Sequence, residues 1–249
     1  VSSEQWRSVL AFRKRFHAYS FFNTSLIYAQ KPNATHVAGY RAWQSLNRQV
    51  RKGEKGIAIL APLARKNPED ENRTIVTGFR FVHVFDVTQT DGDPIPTLEA
   101  PTLLSEISVD SERVARFTTR LVAYLTHRDL TVRFDLPAEP RALGIYRPGK
   151  QEIALRDDLP LLQRFKTLIH ESAHALLHTG SDDRAMAELE AESTAFLVAH
   201  HLGLDTSAYS FVYLAHWTRS LDDLMRAGEN ASKAADVILT AMSSLSTTD

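Results

Sequence analysis

LLQRFKTLIHESAHALLH, residues 161–178, decides how the second half of this chain folds. Its apolar residues recur at three- and four-residue intervals, so it reads as an amphipathic helix, entered after Asp157, Asp158 and Pro160 and left at Gly180. Within it, His170-Glu171-Ser172-Ala173-His174 sets two imidazoles four residues apart, on one helical face and able to share a metal ion. Glu171 stands one step round the helix, where it can take a proton from a metal-bound water without ligating the metal. With ten histidines in 249 residues, such a motif arises by accident in roughly a few per cent of comparable chains, so its surroundings have to decide its meaning.

A catalytic zinc takes three protein ligands and keeps a fourth position for water. The following helix, about residues 184–202, offers Glu188, Glu190 and Glu192 in AELEAESTAFLVA. Glu188 and Glu192 share a face, and Glu190 points elsewhere. A glutamate followed at once by Ser-Thr-Ala-Phe faces a packed core, where an unpaired carboxylate is costly and a metal-bound one is neutralised. His178, a turn beyond His174, lies too far along a regular helix to join the same ion and reads as structural. Before the motif helix, the spacing gives a helix over 111–126, a strand near 131–135, and two short strands around the Pro-Gly turn of GIYRPGKQEIALR, residues 144–156. One or two further helices fill residues 208–244.

The first third has a different character. Residues 1–66 hold twelve Lys or Arg against Glu4 and Glu54, so the chain's net charge of −1 conceals a basic block and an acidic remainder at −11. Nine of the 22 aromatic residues fall within residues 1–43. Helical spacing runs from Trp6 to Ile27 and stops at Lys31-Pro32. A short helix covers Gly39 to Val50, GIAILAPL reads as a strand, residues 66–73 as a hairpin loop, and TIVTGFRFVHVFDVTQT as a long strand. Phe79, Phe81, His83 and Phe85 share one face of that strand, which makes His83 a core-edge residue. Tyr40 and Trp43 lie beside Arg41, Arg48, Arg51, Lys52 and Lys55. Cations to follow phosphates and rings to stack on bases are what single-stranded nucleic acid requires, and no helix-turn-helix for duplex reading is visible.

The turn-rich, proline-rich stretch 88–102 reads as a linker, so two domains are expected, residues 1–100 and 101–249, in an α+β architecture. No run is apolar enough to span a bilayer and no secretory leader pattern opens the chain. The absence of cysteine excludes disulfides, thiolate ligands and a cysteine nucleophile, and fits a cytoplasmic setting.

His-Glu-x-x-His followed by a helix reading Glu-x-Glu-x-x-x-Phe resembles the ImmA/IrrE-type metallopeptidases and the zincin domain of ArdC-type antirestriction proteins. Alignment on the Phe four residues later puts the family's metal glutamate at Glu192; alignment on Glu-Ala puts it at Glu190. FHAYSFFNTSLIYAQKPNATHVAGYRAWQSLNRQVRKGEKGIAILAP, residues 16–62, and VFDVTQTDG, residues 84–92, resemble the amino-terminal single-stranded-DNA-binding domain of the ArdC-type proteins. By that resemblance Tyr19, Asn23, Tyr40, Trp43, Arg48, Lys52 and Lys55 would contact DNA, and the cluster of basic residues adds Arg51. His170, His174 and Glu192 would hold Zn2+, with Glu171 as the catalytic base. The strand before the motif helix would receive an extended peptide, and Tyr213, in a Tyr-x-x-x-Trp pattern with Trp217, could stabilise an oxyanion. The function expected is a DNA-binding module fused to a zinc peptidase. The alternatives are a DNA-coating antirestriction protein with a non-catalytic metal site, and a regulatory protease that cleaves a repressor-like protein.

Overall fold

A computed structural model of the chain describes residues 2–13, 16, 19–67, 70–94, 111–137, 142–178, 183–204 and 220–244. The chain forms two compact units, Arg15–Ala100 on one side and Pro101–Asp249 together with Val1–Lys14 on the other. The first helix, α1 (Ser3–Arg13), thus belongs with the C-terminal unit, whereas a domain over residues 1–100 was expected. Its apolar face explains this. Trp6, Leu10 and Phe12 are buried, and the Trp6 indole donates to Ser193 Oγ at 3.0 Å. The single amino-terminal helix of the sequence reading is really two, because Ser20 accepts from the Asn23 amide and starts α2 (Phe21–Gln30) afresh.

In the unit 15–100, three strands form an antiparallel sheet in the order β1 (Val37–Gly39), β4 (Asp70–Asp86), β3 (Ile57–Asn67). A second ribbon pairs β2 (Arg48–Val50) with β5 (Thr90–Gly92). Of the stretch 66–73, expected as a loop, residues 66–67 and 70–73 are instead strand: the β3–β4 ladder continues to Lys66↔Thr74 and Asn67↔Asp70. Strand alternation puts Ile57, Ile59 and Val84 inside with Phe21 and Ile27 of α2 and Trp43 of α3 (Tyr40–Ser45). The outer edge of β3 is closed by two side-chain amides of α2. Asn23 exchanges hydrogen bonds with the backbone of Leu60 (2.8 and 2.9 Å), and Gln30 does the same with Ala58 (2.8 and 2.9 Å).

The other unit is mainly helical. Beside α4 (Ser111–Thr126) lies a three-stranded mixed sheet ordered β6 (Thr131–Arg133), β8 (Glu152–Leu155), β7 (Gly144–Arg147). β8 runs parallel to β6 and antiparallel to β7, which leaves β7 at an edge. Three helices complete the unit: α5 (Leu161–Leu177), α6 (Arg184–His201) and α7 (Leu221–Ser244). Leu121, Leu125, Ile153, Leu155, Phe165, Leu168 and Ile169 are fully buried and make the core. α6 is buried almost all round, which explains a sequence with no charge beyond the exposed Arg184 at its start and its three glutamates. Among the described residues, no helix is long and apolar enough to cross a membrane.

Candidate functional site

His170 and His174 project from α5 with their Nε2 atoms 3.1 Å apart. Glu188 reaches from α6 between them, with Oε2 3.3 Å from His170 Nε2 and Oε1 3.8 Å from His174 Nε2. One donor atom from each of these three residues lies within 4.8 Å of the others, the spacing a single cation needs. Glu192, the glutamate expected as third ligand, is not in this group. Its carboxylate sits 3.2 Å from Nδ1 of His170, on the far edge of the ring. The two glutamates share a helical face, but α6 passes α5 so that the one a turn earlier meets both Nε2 atoms. Glu190, the other alternative, points into the core.

The electrostatics follow from this crowding. Burial pushes the His170 imidazole down, but the Glu188 and Glu192 carboxylates outweigh it and raise it from 6.5 to about 10. The hydrogen bonds from His170 and then His174 hold Glu188 well below the ordinary carboxylate range, against the effect of its own burial. Glu171 is 7% exposed, and burial raises its pKa against the pull of both histidines. The backbone of Tyr146 on β7 comes close to the Glu171 carboxylate and works against that rise. That contact depends on a close approach of strand to helix. A Cβ at Gly144 would lie 2.6 Å from Thr167 Cγ2, 2.7 Å from Leu155 Cδ2 and 3.0 Å from Glu171 Cγ. An open cleft of about 730 Å³ runs over Ile145 and Tyr146 of β7 to His170, Glu171 and Glu188. Tyr213 and Trp217 lie outside the described residues.

In the unit 15–100, the residues expected to meet DNA divide into structural and exposed groups. Asn23 is occupied by the β3 edge. Trp43 is 2% exposed and donates to the Phe85 carbonyl at 2.8 Å, so its ring offers no stacking face. Arg48 spends its guanidinium on Thr90 and on the backbone of Gly92 and Asp93, bracing the β2–β5 ribbon. Tyr19 is half-buried with its hydroxyl on the Val37 carbonyl at 3.1 Å. Arg51 pairs with Glu54 at 2.7 Å and with Asp91 at 3.4 Å. Tyr40, Lys52 and Lys55 remain at the surface, the first two lining a shallow recess of about 510 Å³.

Two further aromatic residues, not among those expected at the surface, are exposed. Phe79 and Phe81 are 65% and 68% exposed, on the same face of β4 as Phe85, against which Tyr40 packs edge-on at 6.5 Å. Their alternation was legible. That this face of the hairpin is left uncovered was not.

A basic α+β unit and a helical unit that brings His-Glu-x-x-His to an edge strand and a second-helix glutamate define a two-domain protein with a metallopeptidase-like domain. Residues 2–91 match the N-terminal domain of anti-restriction factor ArdC, and residues 126–231 match the IrrE N-terminal-like domain, in the order the sequence implied. In both of its matched domains the chain is thus similar to the ArdC-type family. Crystal structures of the antirestriction ArdC protein from plasmid R388 share its fold. The Mn(II)-bound form is 23% identical with a TM-score of 0.57, over 96% of this chain and 98% of that one. The metal-free form is 22% identical with a TM-score of 0.55, over 90% and 85%. Two uncharacterised proteins are also similar: pXO2-81 of Bacillus anthracis, 24% identical over 95% of this chain, and y4eC of Sinorhizobium fredii, 26% identical over 89%. The chain spans about half (48%) of the Bacillus protein's length and 76% of the Sinorhizobium one's.

Proposed function

We propose that this protein joins a single-stranded-DNA-binding unit to a zinc-dependent peptidase centre and serves in antirestriction or DNA protection. The observation that carries this reading is the trio His170, His174 and Glu188, with buried Glu171 beside it at the edge of β7. Two imidazoles and a carboxylate suit zinc, and manganese is the metal in the similar R388 structure. When bound, such an ion polarises a carbonyl and acidifies water.

The chain's own residues supply the rest. Glu171, with its proton affinity raised by burial, takes the proton that water gives up and hands it to the departing amine. β7 can accept an extended peptide as an added strand along the cleft. In the other unit, Tyr40, Phe79 and Phe81 offer faces for bases, while Lys52 and Lys55 attract phosphates.

The Glu171→Gln variant tests the peptidase reading. It should bind metal and single-stranded DNA like the parent and lose peptide hydrolysis; hydrolysis at the parental rate would defeat the assignment. DNA protection that survives in this variant would favour coating of the DNA, with the metal in a non-catalytic role.

A further inference from the structure

His178 belongs to no part of the donor trio, yet its ring is fixed at both nitrogens. α5 ends at Leu177, and His178 leaves the helix at φ −122° and ψ 38° while its amide still donates to the His174 carbonyl at 2.9 Å. Its Nδ1 lies 3.0 Å from Nδ1 of His174. Its Nε2 lies 2.7 Å from Oε2 of Glu190. The other oxygen of Glu190 accepts from Nδ2 of Asn230 on α7 at 2.9 Å. The side chains of His178 and Glu190 are 8% and 5% exposed, so this chain of contacts runs through the core.

We propose that His178 is a positioning residue, which with Glu190 and Asn230 locks His174 in the tautomer that presents Nε2 to a metal. The proposal rests on the metal reading of the trio. Proton counting gives the relay only one consistent direction. A ligating Nε2 of His174 must carry a lone pair, so the proton of the neutral ring sits on Nδ1. That proton points at Nδ1 of His178, which must accept it and therefore carries its own proton on Nε2. The Nε2–H then donates to Glu190, whose carboxylate can only accept, and Asn230 donates to the remaining oxygen. A buried carboxylate on α6 is poor value as packing, since an apolar residue of similar size would avoid its desolvation. Its place at the end of a relay to a ligand accounts for it, because outer partners of this kind orient ligating histidines and raise their basicity.

The test uses the full chain and two substitutions. His178→Leu removes both hydrogen bonds, whereas the amide of His178→Gln can accept from His174 and donate to Glu190. Affinity for Zn2+, measured by chelator competition, should fall about 10- to 100-fold in His178→Leu and recover most of that loss in His178→Gln. The melting temperature of the chelator-treated proteins reads any purely structural effect, and should not follow the same order. Parental metal affinity in a folded His178→Leu, or equal losses in both folded variants, would overturn the proposal. A wild-type chain that binds no metal would overturn the metal reading itself. Should His178→Leu fail to fold, the nitrogen spectrum of 15N-histidine-labelled, zinc-loaded wild type decides: the relay requires the proton of His178 on Nε2, and a proton on Nδ1 refutes it.

Discussion

Metal uptake by this chain competes with a proton on His170. In the metal-free protein, burial lowers the imidazole, but Glu188 and Glu192 outweigh burial and lift it to about 10. At pH 7.5 nearly every molecule therefore carries the proton that a metal ion must displace. Taking a proton from a group of pKa about 10 at pH 7.5 costs about 3 kcal/mol, a roughly 300-fold reduction in apparent affinity. Apparent affinity should thus climb about tenfold per pH unit from near neutrality toward pH 10, where an unshifted imidazole would level off above about pH 7.5. Glu192→Gln removes one of the two carboxylates on the ring and leaves the trio intact, so the climb should level off at a lower pH. Stability of the metal-free protein should move the other way. The raised pKa of His170 contributes stability that is complete below its ordinary 6.5 and is lost as pH rises through about 10. The depressed pKa of Glu188 contributes above its ordinary 4.5 and is lost in acid. Chelator competition between pH 6 and 10, with calorimetry at pH 8 in two buffers of different ionisation heat, measures both slope and proton count. An affinity that is flat from pH 7.5 to 9, with no proton released at pH 8, would refute the reasoning.

Other perturbations separate structural from functional residues. Asn23→Ala should cost about 2 kcal/mol of stability in urea titration, since it leaves the Leu60 amide and carbonyl unpaired, without changing DNA affinity in the folded protein. A large loss of DNA affinity at unchanged stability would return Asn23 to the DNA surface. Replacing Phe79 and Phe81 together with serine should leave the melting temperature nearly unchanged, because both rings are exposed, and weaken single-stranded DNA binding by about 1–3 kcal/mol per stacked base lost. Unaltered binding in a fluorescence titration would remove that face from the account. Gly144→Ala should lower peptide hydrolysis more than metal affinity, because the added methyl group meets Glu171 Cγ at 3.0 Å and not the trio; equal losses in both would contradict this.

The motif helix was legible because period and chemistry agree over residues 161–177; the aspartate cap expected at Asp157 or Asp158 is absent, and Pro160 stands at the N-cap without a side-chain cap bond. The placement of the glutamates around its two histidines was not legible. Glu188 and Glu192 are equivalent in helical phase, and only the crossing of α6 over α5 distinguishes the glutamate that meets both Nε2 atoms from the one behind His170. The contacts of His178 were not legible, because its partners beyond His174 come from other helices, Glu190 from α6 and Asn230 next to it from α7. On the basic side, charge and ring content located the unit but could not tell a stacking ring from a core ring. Trp43 and Arg48 carry the right chemistry for DNA and spend it on their own fold, while Phe79 and Phe81, read as one face of a strand, stand in the open. The helix of residues 3–13 continued the pattern of its neighbour in sequence and joined the other unit, a choice made by the face it buries.

Metal content of three purified proteins, wild type, Glu188→Ala and Glu192→Ala, bears most directly on the centre. After equilibration with Zn2+ and dialysis at pH 8, His170, His174 and Glu188 together should retain about one ion per wild-type chain, the single vacancy of a four-coordinate site being left for water. Glu192→Ala should retain the ion, and Glu188→Ala should lose it. Retention in Glu188→Ala with loss in Glu192→Ala, or a metal-free wild type, would contradict the site described.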